Sequence, residues 1–274
     1  MIENSKAIGV LDSGVGGLGI VKYLKELLPG ENILYYADTA HMPYGSKSAS
    51  EVKNLATNGM KYLCAKHELK LLIVACNTAT VAGLECYRKH FPMPVIGVVK
   101  PGVKAAVSIT KNKKIGLIAT VGTVNSNTYP KLMVELDPSI KVYQMPCPKL
   151  AGIVENQDFN QDVISIAKSY LYPLLNNEID SLILGCTHYP SLYHIIRPIV
   201  GKSMNVIDPS FFTVREVYDF LTQSLGRNPQ REGYQIFYVS GQSWKFYQIA
   251  QKLLGYPINI SSIRQTTSDF ALSL

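Results

Sequence analysis

The stretch "LDSGVGGLG", Leu11 to Gly19, decides how this chain is read. Gly14, Gly16 and Gly19 keep the G-x-G-x-x-G spacing of a dinucleotide-binding turn, and Asp38 lies about twenty residues beyond, where such a turn places its ribose-binding acid. The residues around those glycines argue against that reading. In a dinucleotide fold the first glycine turns tightly at the strand end and lets a pyrophosphate meet the backbone, whereas here Asp12 and Ser13 occupy the turn. A carboxylate there repels a pyrophosphate and suits the ammonium group of an amino acid. The glycines then serve close packing of strand on helix.

Outward from this loop, short apolar runs alternate with amphipathic stretches. "IGVLD" (8–12), "ILYYA" (33–37), "LLIVA" (71–75), "VIGVV" (95–99), "IGLIA" (115–119), "KVYQM" (141–145), "SLILG" (181–185) and "NVIDP" (205–209) read as buried strands. Helical spacing links Ile20, Val21, Leu24, Leu27 and Leu28, then Val52, Leu55, Met60 and Leu63, and later Val163, Ile164, Ala167, Tyr170 and Leu171. Strand and helix in alternation predict an α/β fold with mainly parallel sheets. At 274 residues the chain has room for two such units.

The units echo each other. "IGVLDSG" from Ile8 resembles "IGLIATVG" from Ile115, and "LLIVACNT" resembles "SLILGCTH", which pairs Cys76 with Cys186 at nearly the same offset. In open α/β sheets ligands bind beyond the carboxyl ends of the strands. Asp12, Ser13, Asp38, Cys76, Asn77, Thr78, Thr120, Cys186, Thr187 and His188 all occupy such ends. Cys64, Cys86 and Cys147 read as small apolar fillers. Cys76 and Cys186 differ: each ends a strand and precedes a predicted helix start, where partial positive charge lowers a thiol pKa. Two thiols facing one cleft can take a proton from one side of a carbon and return one to the other.

Composition narrows the partners. The net charge is +7 and the pI near 9.0, yet the only dense basic run is "KNKK" at Lys111–Lys114, which reads as a solvated loop rather than a nucleic-acid surface. A positive field of this size gathers a small anion equally well. Five cysteines without a C-x-x-C pair signal neither a disulfide framework nor a metal site. "MIENSKAIGV" has no leader pattern, and no run is long enough for a membrane span, so a cytoplasmic protein is expected.

At these residues the sequence resembles the cofactor-independent glutamate racemases of the aspartate/glutamate racemase superfamily. The motifs are "LDSGVGGLGIV" (11–21), "ADTAHMPYG" (37–45), "VACNTAT" (74–80), "PVIGVVKPG" (94–102), "IATVGTVNSNTYP" (118–130), "CPKLAGIVE" (147–155) and "LILGCTHYP" (182–190). The resemblance implies two similar α/β domains with the active site in the cleft between them. The first is discontinuous, 1–98 plus 209–274, and encloses a second, 99–208. It implies interconversion of L- and D-glutamate without cofactor or metal, supplying D-glutamate for peptidoglycan, in a homodimer. Carried over by motif, Cys76 takes the α-proton from D-glutamate and Cys186 from L-glutamate, with Asp12 and His188 tuning the transfers. Asp12, Ser13, Tyr44, Gly45, Asn77, Thr78, Thr187 and His188 bind substrate.

Other positions stay open. Lys100 stands where many relatives have an acid, and it is given no catalytic role. Glu155 matches a family glutamate near the active-site histidine, or else is a solvated helix acid. Asp38 either lines the cleft or caps the turn into "TAHMPYG". His41, His67, His90 and His194 read as surface or packing residues, and the tail "INISSIRQTTSDFALSL" carries no motif. Three rival readings share the cleft: racemisation of aspartate, a Cys/His hydrolase using one thiol and His188 through an acyl intermediate, and a noncatalytic amino-acid-binding module.

Overall fold

A computed structural model describes residues 3–160 and 162–262. Its strands are β1 (Ala7–Asp12), β2 (Ile33–Ala37), β3 (Leu69–Val74), β4 (Val95–Gly97), β5 (Lys114–Ala119), β6 (Lys141–Pro146), β7 (Ser181–Gly185), β8 (Asn205–Ile207), β9 (Gln235–Val239) and β10 (Ile260–Ser262). They form two sheets, ordered β10-β9-β2-β1-β3-β4 and β6-β5-β7-β8, and every pairing is parallel. Strands β1, β2, β3 and β7 are buried along their whole length, as expected where helices cover both faces of a parallel sheet.

The order β2-β1-β3-β4 recurs as β6-β5-β7-β8. The sequence echo falls on that repeat: Ile8 and Ile115 lie in β1 and β5, and Cys76 and Cys186 follow β3 and β7. Each sheet has an apolar cluster on either side. In the six-stranded half, Ile20, Val21 and Leu24 of helix Leu18–Leu27 pack on one face, while Val52, Ala56, Met60 and Leu63 of helix Ala49–Lys66 pack on the other. The second helix starts where Ser48 accepts the backbone N–H of Glu51, the first half of a capping box. The chain leaves the first sheet after β4 through helix Val99–Ile109 and returns through helix Pro209–Phe220. These two helices meet where Gly102 faces Pro209, so closely that a Cβ would stand 3.0 Å from the proline ring.

Several sequence boundaries shift. "VIGVV" ends as a strand at Gly97, and Val99 opens a helix. "NVIDP" ends at Ile207 because Asp208 caps helix Pro209–Phe220, its carboxylate accepting the Ser210 N–H at 2.9 Å. Strands β9 and β10 were not anticipated, so the first sheet is two strands wider than the repeat. The last twelve residues of the tail, 263–274, lie outside the described residues.

Candidate active site

The carboxyl ends of both sheets meet at a cavity of about 240 Å³, small on the scale of ligand sites. Its wall includes Ser13, Tyr44, Gly45, Cys76, Asn77, Thr78, Cys186, Thr187 and His188, which is every sequence-predicted site residue except Asp12. Thr120, Cys147 and Glu155 also line it. Cys76 lies one residue beyond the end of β3, after Ala75, and directly precedes helix Asn77–His90, while Cys186 directly follows β7. The second helix start is replaced by a short 3₁₀ turn, Tyr189–Leu192, before helix Tyr193–Val200.

Cys76 departs from the expectation of a lowered thiol pKa. Burial pushes it well up, with the Asp12 and Cys186 charges adding to the rise, and the Ala79 N–H and Ser13 hydroxyl do not offset this. Desolvation outweighs the helix start. Asp12 stands behind the wall with no exposed surface; burial raises its carboxyl to about 6 against the pull of His188 and the N–H groups of Gly14 and Gly17. One oxygen accepts the Gly14 N–H at 3.0 Å and the other the Thr187 hydroxyl at 3.2 Å, so Asp12 ties the glycine loop to the Cys186 side.

On that side His188 Nδ1 lies 3.5 Å from Cys186 Sγ, and its Nε2 lies 2.6 Å from Glu155 Oε1. Burial alone would lower the histidine pKa, but these two partners raise it well above its ordinary value. Burial alone would raise Glu155, but the hydrogen bond and charge of His188 hold it low. Imidazolium and carboxylate are therefore a buried ion pair that points a proton at Cys186. Glu155, left open by sequence, is a buried partner of His188 and not a solvated acid: it is 5% exposed and also accepts the Val15 N–H at 3.0 Å.

The glycine loop gains a meaning that packing of strand on helix does not cover. A Cβ at Gly14 would run into the Glu155 carboxylate, and one at Gly16 into Thr187 and His188. Both glycines let groups from the other half approach the β1 turn. Gly17 packs against Asp12 and Tyr35, and Gly19 has no comparable neighbour. Tyr35, wholly buried, donates its hydroxyl to the Gly14 carbonyl at 2.7 Å and holds the loop from below.

Asp38 organises a neighbouring turn and is absent from the cavity wall. It accepts the hydroxyls of Tyr44 at 2.6 Å and Ser240 at 2.8 Å, and His41 Nδ1 lies 2.9 Å away. Burial and Asp38 push the Tyr44 hydroxyl far up, so that group stays protonated and committed to Asp38. Thr78, Thr120 and Thr123 join hydroxyls across the two halves at 2.9–3.4 Å. His67 is paired with the Tyr238 hydroxyl at 2.6 Å, while His90, His194 and Lys100 are exposed and away from the cavity wall. Cys147, read as filler, is buried but forms part of that wall.

The chain is similar to known proteins over most of its length. The family model described as Asp/Glu/Hydantoin racemase matches residues 18–217. A glutamate racemase from Bacillus cereus is 38% identical over 256 residues, covering 93% of this chain and 95% of that protein. The crystal structure of a glutamate racemase from Bacillus anthracis superposes with a TM-score of 0.92 at 39% identity, covering 95% of this chain and 98% of that one. Another, from Francisella tularensis in complex with D-glutamate, gives 0.89 at 32% identity over 97% of this chain and 100% of that one. Among the described residues no helix is long and apolar enough to cross a membrane.

Proposed function

We infer that this chain, which belongs to the Asp/Glu/Hydantoin racemase family, interconverts L- and D-glutamate. The observation that carries the mechanism is that Cys76 and Cys186, from different sheets, line one cavity. Starting from D-glutamate, Cys76 as thiolate takes the α-proton, and the C–H electron pair moves into the α-carboxylate to give an enediolate. Cys186 as thiol then protonates the opposite face. The enzyme is left with Cys76 protonated and Cys186 ionised, ready for the reverse reaction. A thiolate formed at buried Cys76 is a strong base, and the His188 imidazolium faces the thiolate left at Cys186.

Ser13, Tyr44, Gly45, Asn77, Thr78, Thr187 and His188 hold the substrate, with the N-terminal end of helix Asn77–His90 facing its carboxylates. Asp12 acts from behind Cys76, on the thiol and on Thr187. The units 1–98 plus 209–274 and 99–208 act as two domains about this cleft, a division supported by strand membership of the two sheets. The product D-glutamate feeds peptidoglycan synthesis in the cytoplasm, and the working form is a homodimer.

The test is incubation with each enantiomer in deuterated water, following α-proton exchange by NMR and optical rotation by polarimetry, with aspartate as a parallel substrate. Exchange and loss of rotation from both glutamate enantiomers are expected, with aspartate inert. Saturable glutamate binding without exchange would overturn the reaction and leave a binding module.

A further inference from the structure

Asn77 follows Cys76 in the six-stranded half and lines the cavity, and its side-chain oxygen is already occupied. That oxygen accepts a 2.7 Å hydrogen bond from the hydroxyl of Tyr129, in helix Thr128–Leu136 of the four-stranded half. Tyr129 has no exposed surface and is absent from the cavity wall, so whatever it does for the substrate it does through Asn77. An asparagine amide has an accepting end and a donating end of nearly equal shape. Left alone it can present either to a ligand; a phenol bonded to the oxygen leaves the amino group for the cavity.

We propose that Tyr129 is a positioning residue that holds the Asn77 amide with its NH₂ toward a substrate carboxylate. The two residues come from opposite halves, so the amide is set only while the halves stand as they do here. Donor geometry thereby depends on the contact between the two halves. This inference rests on the reading of Asn77 as a substrate contact.

The experiment is a double-mutant cycle of Tyr129→Phe and Asn77→Ala, with KM and kcat from racemisation, glutamate Kd from calorimetry, and thermal melting of each variant. Phenylalanine keeps the buried ring and removes only the hydroxyl. Tyr129→Phe should raise KM and Kd about tenfold, the effect of one buried hydrogen bond left unmade, with kcat changed far less. On the Asn77→Ala background it should add nothing, because there is no amide left to orient. A Tyr129→Phe effect that multiplies in full onto Asn77→Ala, or no change in KM and Kd, overturns the proposal. Unchanged KM and Kd in Asn77→Ala also overturn it, while racemisation by the wild-type protein keeps the proposed reaction intact. A wild-type protein that binds glutamate without racemising it would refute the reaction alone, since the Kd cycle still reads the Tyr129–Asn77 partnership.

Discussion

Cys76 and Cys186 close matching strands of a repeated unit, yet their surroundings carry opposite charge. β1 ends in Asp12, whereas β5, its counterpart, ends in Ala119. Cys76 is followed by Asn77 and Thr78, Cys186 by Thr187 and His188. The first half therefore sets a carboxyl behind its thiol, and the second sets an imidazolium, fixed by Glu155, beside its own. The repeat supplies two sulfurs at one cavity. The divergence around them sets a different titratable group beside each.

The largest expected effect separates the two thiols. Cys76→Ser and Cys186→Ser should each lower racemisation by about 10²–10⁴-fold, the range for loss of a positioned acid or base. Enantiomers are equal in free energy in water, so any variant that still turns over has the same kcat/KM from either side. Asymmetry must be sought in exchange. In deuterated water Cys186→Ser should retain slow α-proton exchange from D-glutamate only, and Cys76→Ser from L-glutamate only. The opposite pairing would reverse the assigned faces, and loss of exchange from both enantiomers in one variant and from neither in the other would leave a single base.

Next comes the glycine loop. Gly16→Ala would place a methyl against Thr187 and His188, displacing the Cys186 side while leaving Cys76 on its own strand. A displacement of about 1 Å can cost about 10²-fold in turnover. Exchange from L-glutamate should fall further than exchange from D-glutamate, measured in the two single-thiol backgrounds. Equal losses would mean that the loop acts on both thiols alike.

Much of this site was legible because its residues sit at strand ends, and strand ends are marked in sequence by an apolar run stopping at a polar residue. Asp12, Cys76 and Cys186 are of that kind. Glu155 is not: it lies in the seven-residue helix Leu150–Asn156, and its partner His188 is distant in sequence. A signal was present, a single acid flush with the apolar run "LAGIV", which a solvated helix face would not bury. Tyr129 gave none, since periodicity says that a ring is buried and nothing about where its hydroxyl ends. Strand β9 follows helix Pro209–Phe220 and precedes helix Ser243–Leu254, but it joins the sheet beside β2, some two hundred residues earlier, a pairing that nothing local in the sequence announces. The thiol pKa of Cys76 was misread because a helix start is visible in sequence, while the depth of burial that overrides it is not.

A smaller effect sharpens the charge difference through pH. His188 is raised, so the stability its charge contributes is complete below the ordinary histidine value of 6.5 and is lost as pH climbs through the folded value. Glu155 is held low, so its contribution is present above the ordinary 4.5 and lost as pH falls through its folded value. Glu155→Gln removes the anion and lets the His188 pKa drop. Its stability deficit, about 1–3 kcal/mol for a buried partner lost, should be greatest near neutral pH and shrink toward acid. Turnover should fall about tenfold at neutral pH, with the alkaline limb of the profile moved to lower pH. A limb that stays in place would mean that His188 does not act as a cation at Cys186.

The smallest expected effect asks whether the two sides are independent. Tyr35→Phe deletes the hydroxyl that holds the Gly14 carbonyl and leaves that carbonyl buried and unpaired, which costs about 1–3 kcal/mol and appears as a lower melting temperature. Tyr35 lies under the loop that carries Asp12, so a local effect would slow exchange from D-glutamate in the Cys186→Ser background only. The loop also reaches across: Val15 N–H is bonded to Glu155, which holds His188. If that bond transmits the shift, exchange from L-glutamate in the Cys76→Ser background should slow by a similar factor of a few. Equal slowing would make Glu155 the joint through which the carboxyl side and the imidazolium side set each other's position, and slowing confined to D-glutamate would leave them as two separately built halves of one reaction.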